Sequence, residues 1–244
     1  MPAQLSALAG RPLLPHPAAL RSHAHQRPVA AHSCSLPKAW YLWVRLGEHH
    51  LWQWEGPERL LLVKDFFPHP GFNPDLSAND HNDDIMLIRL PRKVRLNPAV
   101  QPLNLSRSLP AVGTQCLISG WGSVSSSKSC LVICSEFRLR DVYLPSLPVQ
   151  YPMTLQCANI SVLDNKLCRW AYPGHISEKM LCAGLWEGGR GSCQGDSGGP
   201  LVCKGTLAGI VSGGSEPCSR PRRPAVYTSV FHYLDWIKDT IEKN

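Results

Sequence analysis

Residues 188–203 read GGRGSCQGDSGGPLVC, and the glycines around Ser197 govern the reading of the whole chain. A serine hydroxyl is a weak nucleophile until a base takes its proton and backbone N–H groups meet the oxyanion that forms. Gly195 and Gly198 let the chain turn sharply about Ser197, so that the amides of Gly195 and Ser197 can converge on one point. Cys193, Asp196 and Pro200 agree with that reading, which sets the stretch apart from a glycine-rich turn with an incidental serine.

Outward from this turn the chain is a series of short β-type runs. PLVC and GTLAGIVSGG flank Lys204-Gly205, a hairpin signal, and upstream lie YLWVRL, ERLLLVKDFF, TQCLISGWG and MTLQCANISVL. Only the end reads as helix: in FHYLDWIKDTIEKN, Tyr233, Trp236, Ile237 and Ile241 form one apolar stripe, which should dock on the strands. Residues 1–40 are rich in Pro, Ala, His and Arg and follow neither period, so they are read as a separate, disordered segment ahead of a domain spanning 41–244. A further oddity is SCLVICSEFRLRDVYLPSLPVQ, an insertion at 129–150 with two extra cysteines.

With 244 residues, 43% hydrophobic and 18% charged, the chain has ample material for one or two globular β-rich units. No apolar run is long enough to span a bilayer, and prolines interrupt the N-terminus where an export signal would be apolar, so neither membrane nor leader is expected. Ten cysteines and the sequons at Asn104 and Asn159 nevertheless point to an oxidising compartment. The net charge is +7, and Arg220, Arg222 and Arg223 in SRPRRP are read as a solvated loop, not a nucleic-acid site.

The motif around Ser197, with HNDDIMLIRL upstream, resembles the chymotrypsin-like serine peptidases, specifically the tissue-kallikrein subgroup. The resemblance implies an all-β fold: two six-stranded Greek-key β-barrels with a C-terminal helix, the first barrel incomplete in this chain. It implies a secreted, monomeric endopeptidase acting on protein or peptide substrates, open to protein inhibitors, with no cofactor and no metal. Ser197 matches the nucleophile, Gly195 and Ser197 the oxyanion hole, and Asp84 the buried carboxylate that orients the base; Asp83 is expected to face solvent. Gly191, six residues before Ser197, stands where trypsin-like relatives hold an aspartate. Ser212, Gly213 and Gly214 match the segment that pairs with substrate backbone, with Gly213 replacing the usual tryptophan, and Ala225 matches a pocket wall. A neutral, slightly narrowed pocket for a medium apolar or aromatic residue follows. The resemblance pairs Cys116 with Cys203, Cys168 with Cys182 and Cys193 with Cys218, and leaves Cys157 without its family partner. Cys34, Cys130 and Cys134 take no role. His49, His50, His69 and His81 precede Asp84 without ligand spacing that would support zinc.

The base is the difficulty. The family writes it as Ala-Ala-His-Cys, whereas here Ser33 separates His32 from Cys34. Permitted codons for Leu20 to Ala39, read one base later, give CGATLISDRWLLTAAHCRKP, the family's strand and histidine motif unbroken. The same shift on residues 1–12 gives CRPNSQPWQAGL, whose cysteine would partner Cys157. Residues 1–39 are therefore read as an out-of-frame translation, with His32 an accident, and 129–150 as a retained intron or a genuine surface loop. Relatives hold Asp196 with an α-amino group released by cleavage at an Ile/Val-Gly-Gly junction, which this chain lacks. The expectation is an inactive chain whose in-frame counterpart is a peptidase. The alternative is a non-catalytic relative that binds partners through the cleft or the SRPRR patch.

Overall fold

Alternating apolar residues bounded by turn residues do build strands here. The computed structural model describes residues 42–73, 80–124 and 150–244. His32, Cys34, Cys130 and Cys134, and the insertion up to Val149, lie outside the described residues. In the first part, β1 (Trp43–Leu46) pairs antiparallel with β2 (Arg59–Leu62), and β3 (Asp65–Pro68) with β4 (Met86–Arg89). ERLLLVKDFF, read as one run, divides into β2 and β3.

The second part holds the short β5 (Asn104–Leu105), β6 (Gln115–Gly120), β7 (Gln156–Leu163), β8 (Met180–Gly184), β9 (Pro200–Cys203), β10 (Thr206–Gly213) and β11 (Ala225–Ser229). The order β11-β8-β7-β6-β9-β10, with β10 pairing back onto β11, closes a six-stranded barrel, and β5 adds in parallel to β10. Closure removes the open edges that would invite mispairing. Inside lie Ile160, Leu201 and Tyr227, all with no exposed surface. Lys204 and Gly205 take φ of 49° and 75°, the left-handed pair that a two-residue hairpin needs to match strand twist.

The first part is different. Leu61, Val63, Met86, Ile88 and Leu90 form its core. Yet Trp43 faces Leu62, and Arg45 faces Leu60, across the β1–β2 ladder, so these share one face. Trp43, Leu60 and Leu62 are 54%, 48% and 38% exposed, although the outer face of an antiparallel pair is ordinarily polar.

The C-terminal stripe is split: Tyr233 closes a 3₁₀ turn, Val230–Tyr233, and α2 (Leu234–Lys243) follows. Ile237, with Trp236 and Ile241, packs on Ile85, Leu87, Leu207 and Ile210, joining both parts. A second helix, α1 (Asn165–Ala171), was not expected, because seven residues are too short to show a period. It starts where the Asp164 side chain accepts the Lys166 N–H at 2.9 Å. Val124 N–H donates to the Gln150 carbonyl at 3.1 Å, so the described residues on either side of 125–149 meet. Among the described residues, no helix is long and apolar enough to cross a membrane.

Candidate active site

Ser197 lies in a tight turn immediately before β9, entered through Gly195 (φ 94°) and left through Gly198 (φ 85°). The turn is fastened to β10: Gly198 N–H donates to Val211 C=O at 2.8 Å, and Val211 N–H to Gly199 C=O at 2.9 Å. The next residue along β10, Ser212, donates its hydroxyl to Asp84 Oδ2 at 2.7 Å, both side chains being buried. Thr228 of β11 donates its hydroxyl to the Asp84 carbonyl at 2.9 Å. Adjacent residues of one strand thus hold the Ser197 turn and the buried Asp84 carboxylate. A buried carboxylate is costly unless hydrogen-bonded, and the Ser212 hydroxyl offsets part of that cost here.

Asp83 does not face solvent, contrary to expectation. It takes φ 54°, and its Oδ1 accepts Lys179 Nζ at 2.8 Å and the Tyr233 hydroxyl at 2.9 Å, with His69 Nδ1 at 3.8 Å. Burial pushes its carboxyl up, but the hydrogen bonds from Lys179 and Tyr233 outweigh it and hold the group below its ordinary range. Its carbonyl accepts Ile85 N–H at 2.8 Å across a turn centred on Asp84. An acid beside an apolar strand gives no sequence signal of partners on distant elements.

Asp196 turns inward and accepts Gly122 N–H at 2.8 Å and Cys193 N–H at 2.9 Å. Burial raises its carboxyl above the usual range despite those bonds. A Cβ on Gly122 would stand 2.4 Å from the Asp196 Cγ, so only glycine leaves room for this side chain. The GWG of TQCLISGWG carried that requirement in the sequence.

A Cβ on Gly191 would meet Ser219 Oγ at 3.2 Å, and one on Gly214 would meet Ala225 at 3.8 Å. Ser192 Oγ and the Tyr227 hydroxyl lie 3.3 Å apart, and burial pushes the Tyr227 phenol well above its usual range. Ser192, Ser219 and Tyr227 were not singled out in the sequence. A Cβ on Gly213 would contact His81 at 3.7–3.9 Å, so the imidazole occupies space that a tryptophan would need.

Disulfides join Cys116 to Cys203, Cys168 to Cys182 and Cys193 to Cys218, while Cys157 is free and exposed. Asn104 and Asn159 are both exposed. Among the described residues, Glu48, Glu55 and Glu58 are the acidic or metal-ligating group close enough to share an ion. Arg45 already pairs with Glu48 and lies 3.7 Å from Glu58, so a guanidinium occupies their field. Arg220, Arg222 and Arg223 are exposed, although Arg223 bonds the Ala171 carbonyl and covers the Tyr172 ring at 5.7 Å.

The Trypsin family model matches residues 29–237, a span that starts upstream of Tyr41 and includes His32. Human Kallikrein-9 is 71% identical over 214 residues, covering 88% of this chain and 76% of that protein. Human Kallikrein-11 is 45% identical over 216 residues, covering 88% and 68%. The solved structure of neuropsin, a serine protease expressed in the limbic system of mouse brain, superposes with a TM-score of 0.68 at 42% identity, covering 81% of this chain and 78% of its own. With the Ser197 turn, the buried Asp84 carboxylate and the closed barrel, these matches place the chain in the trypsin family of serine peptidases, among the tissue kallikreins.

Proposed function

We propose that the assembled site hydrolyses peptide bonds after a neutral residue, in the secretory or extracellular space, and that this chain carries the site without its base. The observation that carries the reading is the fastening of the Ser197 turn and Asp84 to neighbouring residues, Val211 and Ser212, of one strand. Ser197 Oγ attacks the carbonyl carbon once an imidazole takes its proton. Gly195 and Ser197 N–H groups receive the oxyanion, and Asp84 holds the imidazolium. In the substrate recess assigned here from the family resemblance, Gly191 puts no carboxylate and Ala225 stands at the wall and narrows it, which favours a medium apolar or aromatic residue over Arg or Lys. Asp196, half-buried and short of a cation among the described residues, suits an incoming α-amino group.

The break between His32 and Cys34 supports the second half of the reading: without its base, a triad enzyme loses rate on the order of a million-fold. The test is a chain in which residues 1–39 are replaced by the shifted reading, assayed on peptides differing only at the residue before the cleaved bond. Leu or Phe is expected to exceed Arg by about tenfold or more in kcat/KM, a difference of about 1.4 kcal/mol, and Gly191→Asp to reverse the order. An Arg preference in the unmodified recess would overturn the neutral pocket.

A further inference from the structure

The arginines of SRPRRP stand on a surface fastened at several points. Gly189 N–H donates to the Ser219 carbonyl at 2.8 Å, and Arg222 N–H to the Trp186 carbonyl at 2.8 Å, so the segments 186–190 and 219–223 are bonded together. A Cβ on Gly188 would stand 2.6 Å from the Ser219 carbonyl oxygen and 2.7 Å from Pro221 N, so only glycine lets the two touch. Ser219 and Arg222 take φ of 55° and 57°, a left-handed conformation uncommon for residues with a side chain. Such a conformation persists only where the surroundings fix it, so Arg220 and Arg222 are displayed from a set backbone. Arg190 ends the first segment. Arg190, Arg220 and Arg222 are exposed, and among the described residues their guanidinium groups hold no ion pair or hydrogen bond. Glu187 and Glu216, the acids beside them in the chain, pair with none of the three. The end of α1 completes the surface. Trp170 is 60% exposed, and its ring lies 6.1 Å from that of Trp186. Arg223 is already engaged: it bonds the Ala171 carbonyl and covers the Tyr172 ring, while the Tyr172 hydroxyl donates to the Pro224 carbonyl at 2.9 Å. These contacts fasten α1 to the arginine segment, with an indole pair beside three free guanidinium groups.

We propose that this surface binds a sulfated polysaccharide. The binding is independent of the peptidase reading above. An arginine fork donates two parallel N–H bonds to an oxyanion and is more weakly hydrated than a lysine ammonium, which suits sulfate. The exposed indole of Trp170 offers a flat apolar face on which the C–H face of a sugar ring can lie. The rings of Trp170 and Trp186 meet at 57°, which leaves no parallel slot to hold a nucleic-acid base between them. Trp170 is the one exposed large apolar side chain of this surface, too little to enter a bilayer. The three disulfides belong to an oxidising compartment, where sulfated polysaccharides are abundant partners and nucleic acids are not.

The experiment titrates the full chain, its three disulfides verified by peptide mapping, with a fluorescein-labelled heparin oligosaccharide over a range of salt concentrations. Saturable binding that weakens with salt is expected, and the same oligosaccharide stripped of sulfate should not bind. Arg220→Ala combined with Arg222→Gly, a residue at ease with the left-handed backbone, should weaken binding by about tenfold or more and flatten its salt dependence. Arg220→Lys with Arg222→Lys keeps the charge, loses the fork and should weaken binding by about threefold. Trp170→Ala should weaken it by about fivefold with the salt dependence unchanged. Arg92→Ala with Lys93→Ala, exposed basic residues of the first part, should leave it unchanged. Binding indifferent to the Arg220 and Arg222 changes, or lost equally in the Arg92 and Lys93 pair, would overturn the site, as would the absence of saturable binding. Equal or tighter binding of a single-stranded oligonucleotide of matched charge, or of anionic lipid vesicles, would overturn the polysaccharide as its partner.

Discussion

The barrel of β6 to β11 and the pairs β1–β2 and β3–β4 come from similar sequence: short, alternating runs rich in Leu, Ile and Val. The barrel closes on itself, hides Ile160, Leu201 and Tyr227 completely, and carries all three disulfides found among the described residues. Among the described residues, the pairs leave edges open and expose Trp43, Leu60 and Leu62. Strand propensity alone therefore does not make a stable layer. What differs is whether each strand finds neighbours on both sides, and with them cover for both faces. The residues proposed to act divide along the same line: Ser197 and the Ser212 anchor belong to the closed barrel, while Asp84 leads into β4 of the first part.

Breaking the barrel should cost far more than breaking the pairs. Replacing Cys116 and Cys203 together by alanine opens a link between residues 87 apart and is expected to cost about 4 kcal/mol, read as the loss of denaturant midpoint. Leu201→Ala, at a site with no exposed surface, should cost about 3 kcal/mol. Asp83→Asn joins the two regions, since Asp83 ties the start of β4 to Lys179 and Tyr233, and should cost about 2 kcal/mol at neutral pH. Because the folded carboxyl titrates below its ordinary value, that contribution is complete above the unfolded carboxylate pKa and disappears as pH falls through the folded one. The variant should flatten the acid limb of a stability–pH curve; an unchanged limb would mean that Asp83 plays no such part. Smallest of all, Leu62→Lys on the exposed face should change stability by less than about 0.5 kcal/mol and reduce aggregation, measured by light scattering.

Much of the barrel could be read from the residues. Lys204-Gly205 announced its hairpin, the alternation in TQCLISGWG and MTLQCANISVL its strands, and GSCQGDSGGP the tight turn about Ser197. What escaped was information held by contacts between distant residues. Asp83 looks like a surface acid until Lys179 and Tyr233 arrive from elsewhere. Tyr227 looks like an ordinary strand aromatic until it roofs Ser192. His81 gives no hint that it fills the space beside Gly213. The short α1 lacks enough turns for a period, and only Asp164 marked its start. The insertion read at 129–150 lies outside the described residues up to Val149, and the structure gives only that Val124 and Gln150 meet on either side of it.

Native-state hydrogen exchange on the full chain tests the contrast between the two regions most directly. Amides of β6, β7, β9 and β10 should exchange only through global unfolding, and those of β1 and β2 through local opening, faster by about a hundredfold or more. Equal protection of β1–β2 and β9–β10 would contradict the account, because the first part would then be as fully covered as the barrel that holds Ser197.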